Sequence, residues 1–377
     1  MRVAIAAESF LPQVNGVTNS VMRVAEYLRD NGHEALIIAP SDSSAPETYA
    51  GFPVTTVPAV SFPAYQDVRV GVTPSFVFER ILTDFAPDVL HAASPFMVGG
   101  ATLLATARLS IPSVAVYQTD VPSYAGKYGL GMLKTAAWNR VRDIHSLATL
   151  TLAPSTYASE QLREHGIPRV KIWGRGVDTD RFSPQRRDPA LHETWAPHGE
   201  TVIGYMGRLA PEKQVDDLKT LTDVPGTRLV VVGGGPSAKA LKSHLKGAVF
   251  TGRLAGDELA RAVATMDVFV HPGELETFCQ AIQEALASGV PCVAPAKGGP
   301  IDLIESGRWG YLYPPGDLAS MRESVEKLVG DAESRHQFSL AAREFTSRRT
   351  WPVLCAQLVD YYREAIAMTQ GAVPDLR

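Results

Sequence analysis

Short apolar runs recur along this chain, separated by stretches in which apolar residues return every three or four positions. Residues 3–6 form the first run. It closes in a loop containing Pro12 and the pair Asn15-Gly16, and reads as a buried strand with its exit turn. Val21, Val24, Ala25 and Leu28 then line one face of an amphipathic helix, with Thr18 placed as its N-cap and Gly32 placed to end it. Residues 35–39 form the next run. Strand, helix and strand, with strands that are apolar without alternation, predict a parallel sheet covered on both faces. Further strands are predicted at 88–91, 114–117, 150–153 and 170–173.

A second series starts near Val202, with strands predicted at 202–205, 229–232, 249–251, 268–271 and 292–294. Between the two series, residues 181–199 carry Pro184, Pro189 and Pro197 among several charges and read as a linker. Near the end, Pro352 interrupts a helical pattern that resumes at 353–367. Proline suits a first helical turn, so a helix is expected to start there in a new direction. The fold class is therefore α/β, with two doubly wound Rossmann-like domains at 1–181 and 182–352. Ligands of such sheets bind beyond the C-terminal strand ends, which puts the expected active site in a cleft between facing domains.

Composition agrees with two globular domains: 377 residues, 45% hydrophobic and 20% charged. A net charge of -4 gives no general attraction to nucleic acid. Cys279, Cys292 and Cys355 are odd in number and lack metal-ligand spacing, so they read as reduced cytosolic thiols. The histidines are scattered, no metal cluster is expected, and His271 is expected to pack at a strand end. The first residues lack the apolar length of a signal peptide, and no run reaches the roughly 20 residues that span a bilayer. The expectation is a soluble cytoplasmic protein that can still touch a membrane surface.

The candidate chemistry lies where strands end. Arg208 and Lys213, in the exit loop of the 202–205 strand, are either solvated surface charges or the cations that hold a diphosphate. Their position after a strand favours the second. Glu276 and Glu284 flank Thr277, Phe278 and Cys279 in a segment that opens a helix. Eight apart, they span about 12 Å if helical, and their carboxylates suit vicinal hydroxyls; equally, they could only balance a helix terminus and face solvent. Residues 233–238 match the dinucleotide pattern G-x-G-x-x-A, with Asp257 or Glu258 at the right distance, yet any tight strand-to-helix corner needs such glycines. Gly16 either admits a phosphate or only makes a turn. Gln118 and Asp120 follow the 114–117 strand, where Asp120 either activates an acceptor hydroxyl or caps a turn. Lys127, Lys134, Arg140 and Arg142, with Trp138, form a basic stretch that lies on an anionic membrane or is a solvated helix face.

Taken together, Asn15-Gly16-Val17, Gly176-Val177-Asp178, Gly207-Arg208 with Lys213, Gly233 to Pro236, the ETFCQAIQE segment and Gly298-Gly299-Pro300 resemble retaining GT-B glycosyltransferases of family 4. The resemblance spans nearly the whole chain. It implies a nucleotide held by the second domain, with Glu284 on the ribose, Arg208 and Lys213 on the diphosphate, and Leu254 beside the base. Glu276 and Thr277, with the backbone of Phe278 and Cys279, would hold the donor sugar, and Gly16 would approach it from the first domain. Asn15, Gln118, Asp120 and Arg175 fall to the acceptor side. It also implies metal independence, no cofactor, and a last helix (about 353–377) that packs back on the first domain. Within the family, the opening segment and YQTDVPSYAGKYG are most similar to actinobacterial enzymes that move mannose from GDP-mannose to glucuronosyl-diacylglycerol; sulfoquinovosyl-diacylglycerol synthases share much of the pattern. Two departures stand out: Gln118 where the family often has histidine, and Arg175 where it usually has asparagine.

The function expected is α-mannosyl transfer from GDP-mannose to a lipid-linked hydroxyl, such as glucuronosyl-diacylglycerol or a phosphatidylinositol mannoside, on the inner face of the plasma membrane. The rivals are a UDP-sugar-dependent sulfoquinovosyl- or glucosyl-transferase, a nucleotide-sugar epimerase, an NAD-linked dehydrogenase and a non-catalytic binding protein.

Overall fold

The computed structural model describes residues 1–62, 65–71, 73–118 and 131–371. The chain divides into two compact units, Met1–Gly174 with Pro352–Arg377, and Arg175–Trp351. The sequence reading puts the division at 181/182 and 352/353.

In the first unit, β1 (Arg2–Ala7), β2 (Glu34–Pro40), β3 (Thr48–Tyr49) and β4 (Phe52–Val57) precede a hairpin of β5 (Ala59–Phe62) and β6 (Tyr65–Gly71). β7 (Val89–Ala93), β8 (Ser113–Val116), β9 (Leu150–Ala153) and β10 (Val170–Ile172) follow. The large sheet runs β10-β9-β8-β7-β1-β2-β4-β3 and is parallel except for β3 against β4. β1 and β7 are buried almost end to end, as their unbroken apolar runs require. The helix Gly16–Asp30 buries Val21, Val24, Ala25 and Leu28 as its period predicts, but its cap is Asn15 rather than Thr18. Asn15 is extended, and its Oδ1 accepts from the Val17 and Thr18 amides at 2.9 and 3.1 Å, while Thr18 is buried on the inner face. Asparagine outranks threonine at this position, so the helix starts earlier.

A helix does start at the Trp-Pro break. Leu354, Cys355, Leu358, Val359 and Tyr362 of the helix Trp351–Thr369 are buried. Trp173 donates its indole N–H to the Leu354 carbonyl at 2.7 Å, and the Tyr362 hydroxyl meets His91 Nδ1 at 2.6 Å. Burial pushes the His91 imidazole down to about 3, so this inner contact is uncharged at neutral pH.

The second unit holds six parallel strands: β11 (Thr201–Met206), β12 (Thr227–Val232), β13 (Val249–Gly252), β14 (Val268–Val270), β15 (Cys292–Pro295) and β16 (Gly310–Tyr313), in the order β13-β12-β11-β14-β15-β16. β16 escapes the sequence reading because it is four residues long and only its end residues are buried. The expected linker is also structured. Asp188 caps a helix, Pro189–Trp195, through the Ala190 and Leu191 amides, and Trp195 is buried. Pro189 begins that helix because its missing N–H costs nothing in a first turn. Chain order reverses between β11 and β14, the place where sheets of this kind hold ligands.

Candidate active site

The exits of β11 and β12 lie against each other. Gly233 has φ of 146°, and a Cβ there would collide with the Gly207 carbonyl oxygen. The Leu209 amide donates to Gly234 at 3.0 Å and the Ser237 amide to Leu209 at 2.9 Å. Backbone-to-backbone approach therefore accounts for the glycines of the 233–238 turn. Below it, Met206, Gly207, Arg208, Gly233, Arg253 and Leu254 help line a cavity of about 390 Å³. Arg208 is more than half exposed, with its guanidinium on the buried Glu212.

The exit of β14 carries the charged centre. Its helix, Gln280–Ala287, begins four residues after Glu276, so Glu276 lies in the loop and the 12 Å helical spacing to Glu284 does not apply. Cys279 precedes that helix with φ of 73°, a left-handed conformation that a side chain adopts only when its surroundings impose it. Part of that constraint comes from β15's exit. The Gly299 amide donates to the Glu276 carbonyl at 2.7 Å, and a Cβ on Gly299 would collide with the Phe278 backbone.

Lys213 ends a single turn, Pro211–Lys213, and donates to Glu276 Oε1 at 2.5 Å. His271 Nε2 stands 3.2 Å from the same oxygen. Burial opposes a charge on Glu276, but Lys213 and His271 overcome it and hold the carboxyl at about 2. Burial likewise opposes the imidazolium, while Cys279 and Glu276 raise His271 to about 10. His271 is thus more than a packed strand end; it is a second cation on Glu276. One ligand atom each from His271, Glu276 and Cys279 lies within 4.8 Å of the others, a cluster that separations of three to eight residues in the sequence do not announce.

Both glutamines of the ETFCQAIQE segment act as clamps. Gln280 Nε2 donates to the Gly176 carbonyl at 3.1 Å and Gln283 Nε2 to the Arg175 carbonyl at 2.8 Å, while Gln283 Oε1 accepts from Arg349 Nε at 3.1 Å. They fix the 175–176 segment against the helix. Arg175 accordingly sits in the second unit, where burial lowers its pKa to about 10 against the attraction of Glu276 and Glu284. Glu284 is not an exposed helix charge: burial lifts its carboxyl to about 8, opposed by Gln280, Arg181 and Arg175.

The other expected residues lie in the first unit. Gly16 is the first residue of its helix, and Asn15, besides capping, donates Nδ2 to Ser9 Oγ at 2.8 Å. Gln118 is buried just past β8, beside Ser94, Phe96, Tyr117 and His145. Asp120 and Lys127 lie outside the described residues. Trp138 cannot sit among lipid headgroups as placed here: it is buried, stacked on His165 with ring centres 3.7 Å apart. Its helix, Gly131–Ser146, turns it inward, while Arg140 donates to the Phe96 carbonyl at 3.3 Å. No helix among the described residues is long and apolar enough to cross a membrane.

Residues 14–181 match Glycosyltransferase Family 4, and residues 189–345 match Glycosyl transferases group 1. Over 96% of its length, the chain is 50% identical to GDP-mannose-dependent alpha-mannosyltransferase of Mycobacterium tuberculosis, of which it covers 96%. It belongs to the GT-B glycosyltransferases. The glycosyltransferase is also 46% identical, over 98% of its length and 90% of the relative's, to the Corynebacterium glutamicum protein of that name. It is 35% identical to sulfoquinovosyl transferase SQD2 of Arabidopsis thaliana, over 93% of its own length and 71% of the relative's. In fold it is similar to HepE of Anabaena in complex with UDP, with a TM-score of 0.76 and 18% identity over 97% of this chain and 100% of that one. The dehydrogenase and non-catalytic readings give way to this membership: the glycosyltransferase is a hexosyl-transferring enzyme.

Sequence reasoning missed His271, Gln280, Gln283 and Arg253. The two glutamines carried a signal, since polar side chains beside the apolar Ile282 and Ala285 must find buried partners. The other two carried none.

Proposed function

We propose that this glycosyltransferase moves a mannosyl group, with retention, from GDP-mannose to a hydroxyl of a lipid-linked acceptor, without a divalent metal. The observation that supports it most is the Lys213–Glu276–His271 cluster at the exit of β14, next to β11, whose own exit carries Arg208. A diphosphate leaving group needs fixed cations, and a hexose needs a carboxylate that stays ionised; this cluster supplies both. Two relatives at 46% and 50% identity carry the name GDP-mannose-dependent alpha-mannosyltransferase, which supports the donor.

In this reading the nucleoside lies in the cavity by Leu254, with Glu284 on the ribose. Lys213 and Arg208 take the diphosphate. Glu276, with Thr277 and the Phe278 and Cys279 amides, holds the sugar hydroxyls. The acceptor hydroxyl attacks from the side the diphosphate leaves, and a phosphate oxygen takes its proton as the glycosidic bond breaks. Arg208 and Lys213 stabilise the charge that builds there. Each such contact is worth about 1.5–3 kcal/mol, so losing one costs about ten- to a hundredfold in rate. Asn15 and Gln118, with Asp120, are assigned to the acceptor and Gly16 to the donor sugar, and the enzyme meets its lipid as a peripheral protein on the inner membrane face.

A second reading, UDP-dependent sulfoquinovosyl or glucosyl transfer to diacylglycerol, draws on the 35% identity to the Arabidopsis protein. Thermal-shift titration with GDP and UDP separates the two: the proposal requires the larger stabilisation by GDP, and a larger one by UDP overturns it. Acceptor-independent turnover of the nucleotide sugar would point instead to an epimerase.

A further inference from the structure

We propose that His271, Glu276 and Cys279 form a binding site for Zn²⁺, and that zinc held there blocks the donor sugar. The imidazole nitrogen, carboxylate oxygen and thiol sulfur lie within 4.8 Å of one another, and His271 Nε2 and Glu276 Oε1 are already 3.2 Å apart. Tetrahedral zinc asks for ligand separations of about 3.5 Å, so only a small side-chain adjustment is needed. The donor set is selective. A thiolate with an imidazole favours zinc over magnesium or calcium, which prefer oxygen alone. His271 is almost wholly buried, and Nε2, the nitrogen that faces Glu276, is the one a metal in this cluster would take once the ring gives up its proton. The loop is also fixed in place: the Gly299 amide holds the Glu276 carbonyl, and Cys279 is locked in a left-handed conformation.

Two groups compete. The His271 proton that faces Glu276 must leave before the ring can ligate, and Lys213 Nζ, 2.5 Å from the same Glu276 oxygen, must be displaced. That competition makes the metal an inhibitor rather than a cofactor, because it takes the carboxylate that orients the sugar and loosens a cation meant for the diphosphate. This consequence rests on the assignment of Glu276 to the donor sugar; the metal site itself does not. Cys292 and Cys355 are buried elsewhere, with their thiols on backbone carbonyls, and serve as controls.

The test is a Co²⁺ titration of the full chain, followed in the near ultraviolet for the thiolate-to-cobalt charge-transfer band and in the visible for tetrahedral ligand-field bands. Both should appear in the wild type, disappear on Zn²⁺ addition, persist in C292S and C355S, and vanish in C279S and C279G. The glycine variant suits the positive φ, so its loss of signal cannot be laid to misfolding once its melting curve matches wild type. Zinc affinity should fall more than about tenfold in either variant. Added GDP-mannose should weaken zinc binding, and zinc should raise KM for GDP-mannose without lowering kcat. A charge-transfer band that survives in C279G, or an octahedral spectrum without one, overturns the site. A clean site whose zinc leaves KM unchanged overturns the inhibition. Failure of the mannosyl reading would show separately, as no turnover of GDP-mannose in metal-free enzyme.

Discussion

The strand exits of the two units are built from different chemistry. In the second unit they carry charges that meet one another: Lys213 and His271 on Glu276, Arg208 on Glu212, and Arg175 within reach of Glu276 and Glu284. In the first unit the described exits offer mostly neutral groups. Asn15 is spent on a helix cap and Ser9, and Gln118 is buried beside an aromatic pair. Two carboxylates stand there: Glu8 accepts from the Phe96, Val98 and Gly99 amides at the start of the helix Val98–Leu109, and Asp42, just past β2, accepts from the Ser44 amide. Under the proposed function the same architecture serves two tasks. A donor that leaves as a diphosphate demands paired charge at its binding face, whereas an acceptor hydroxyl needs shape and hydrogen bonds.

The contrast is broken most strongly at Glu276. In E276A, transfer should fall by far more than tenfold while GDP affinity holds or tightens, because Lys213 no longer shares its charge with the Glu276 carboxylate. Steady-state rates and GDP calorimetry check this; a tenfold loss of GDP affinity would put Glu276 on the nucleotide instead. R208A comes next, with a rate loss of about ten- to a hundredfold that lysine restores only in part, since lysine lacks the planar fork.

Stability responds to the clamps. Q283A leaves the Arg175 carbonyl and Arg349 without their partner in a buried place, at a cost of about 1–3 kcal/mol. Thermal melting should drop by several degrees; an unchanged midpoint would mean that the 175–176 segment is held by other contacts. Glu284 gives a pH signature. Its folded pKa of about 8 lies above the ordinary carboxyl value, so the folded protein binds the extra proton between about pH 4.5 and 8. The stability linked to that proton is full below this window and is lost as pH rises through it. E284Q should match wild type near pH 5 and melt higher than wild type near pH 9, and parallel pH curves would remove Glu284 from a desolvated place. The smallest effect belongs to the first unit: Q118A should leave GDP binding unaltered and move only the acceptor KM.

Much of this was legible in the residues. The unbroken apolar runs at 3–6 and 202–205 mark covered parallel strands, and the cations after 202–205 lie at a strand exit as expected. What could not be read depended on pairings between exits. Nothing near His271 in the sequence says that Glu276, five positions on, folds back beside it, or that Lys213, 63 positions earlier, reaches the same oxygen. The prolines at 184 and 189 misled because proline ends some helices and starts others; for Pro189, Asp188 as a cap decides which. Trp138 misled because a basic helix with one tryptophan reads alike whether the ring faces lipid or, as here, His165.

The central claim is that the charged exits of the second unit bind GDP-mannose and release GDP only when an acceptor takes the sugar. The most direct measurement is GDP release from GDP-mannose in excess chelator, with and without glucuronosyl-diacylglycerol in mixed vesicles, with the anomeric configuration of the product read by NMR. The account predicts release that depends on the acceptor, persists without metal and yields the α-mannoside. Release that stops in chelator and returns with magnesium, or that ignores the acceptor, would contradict it.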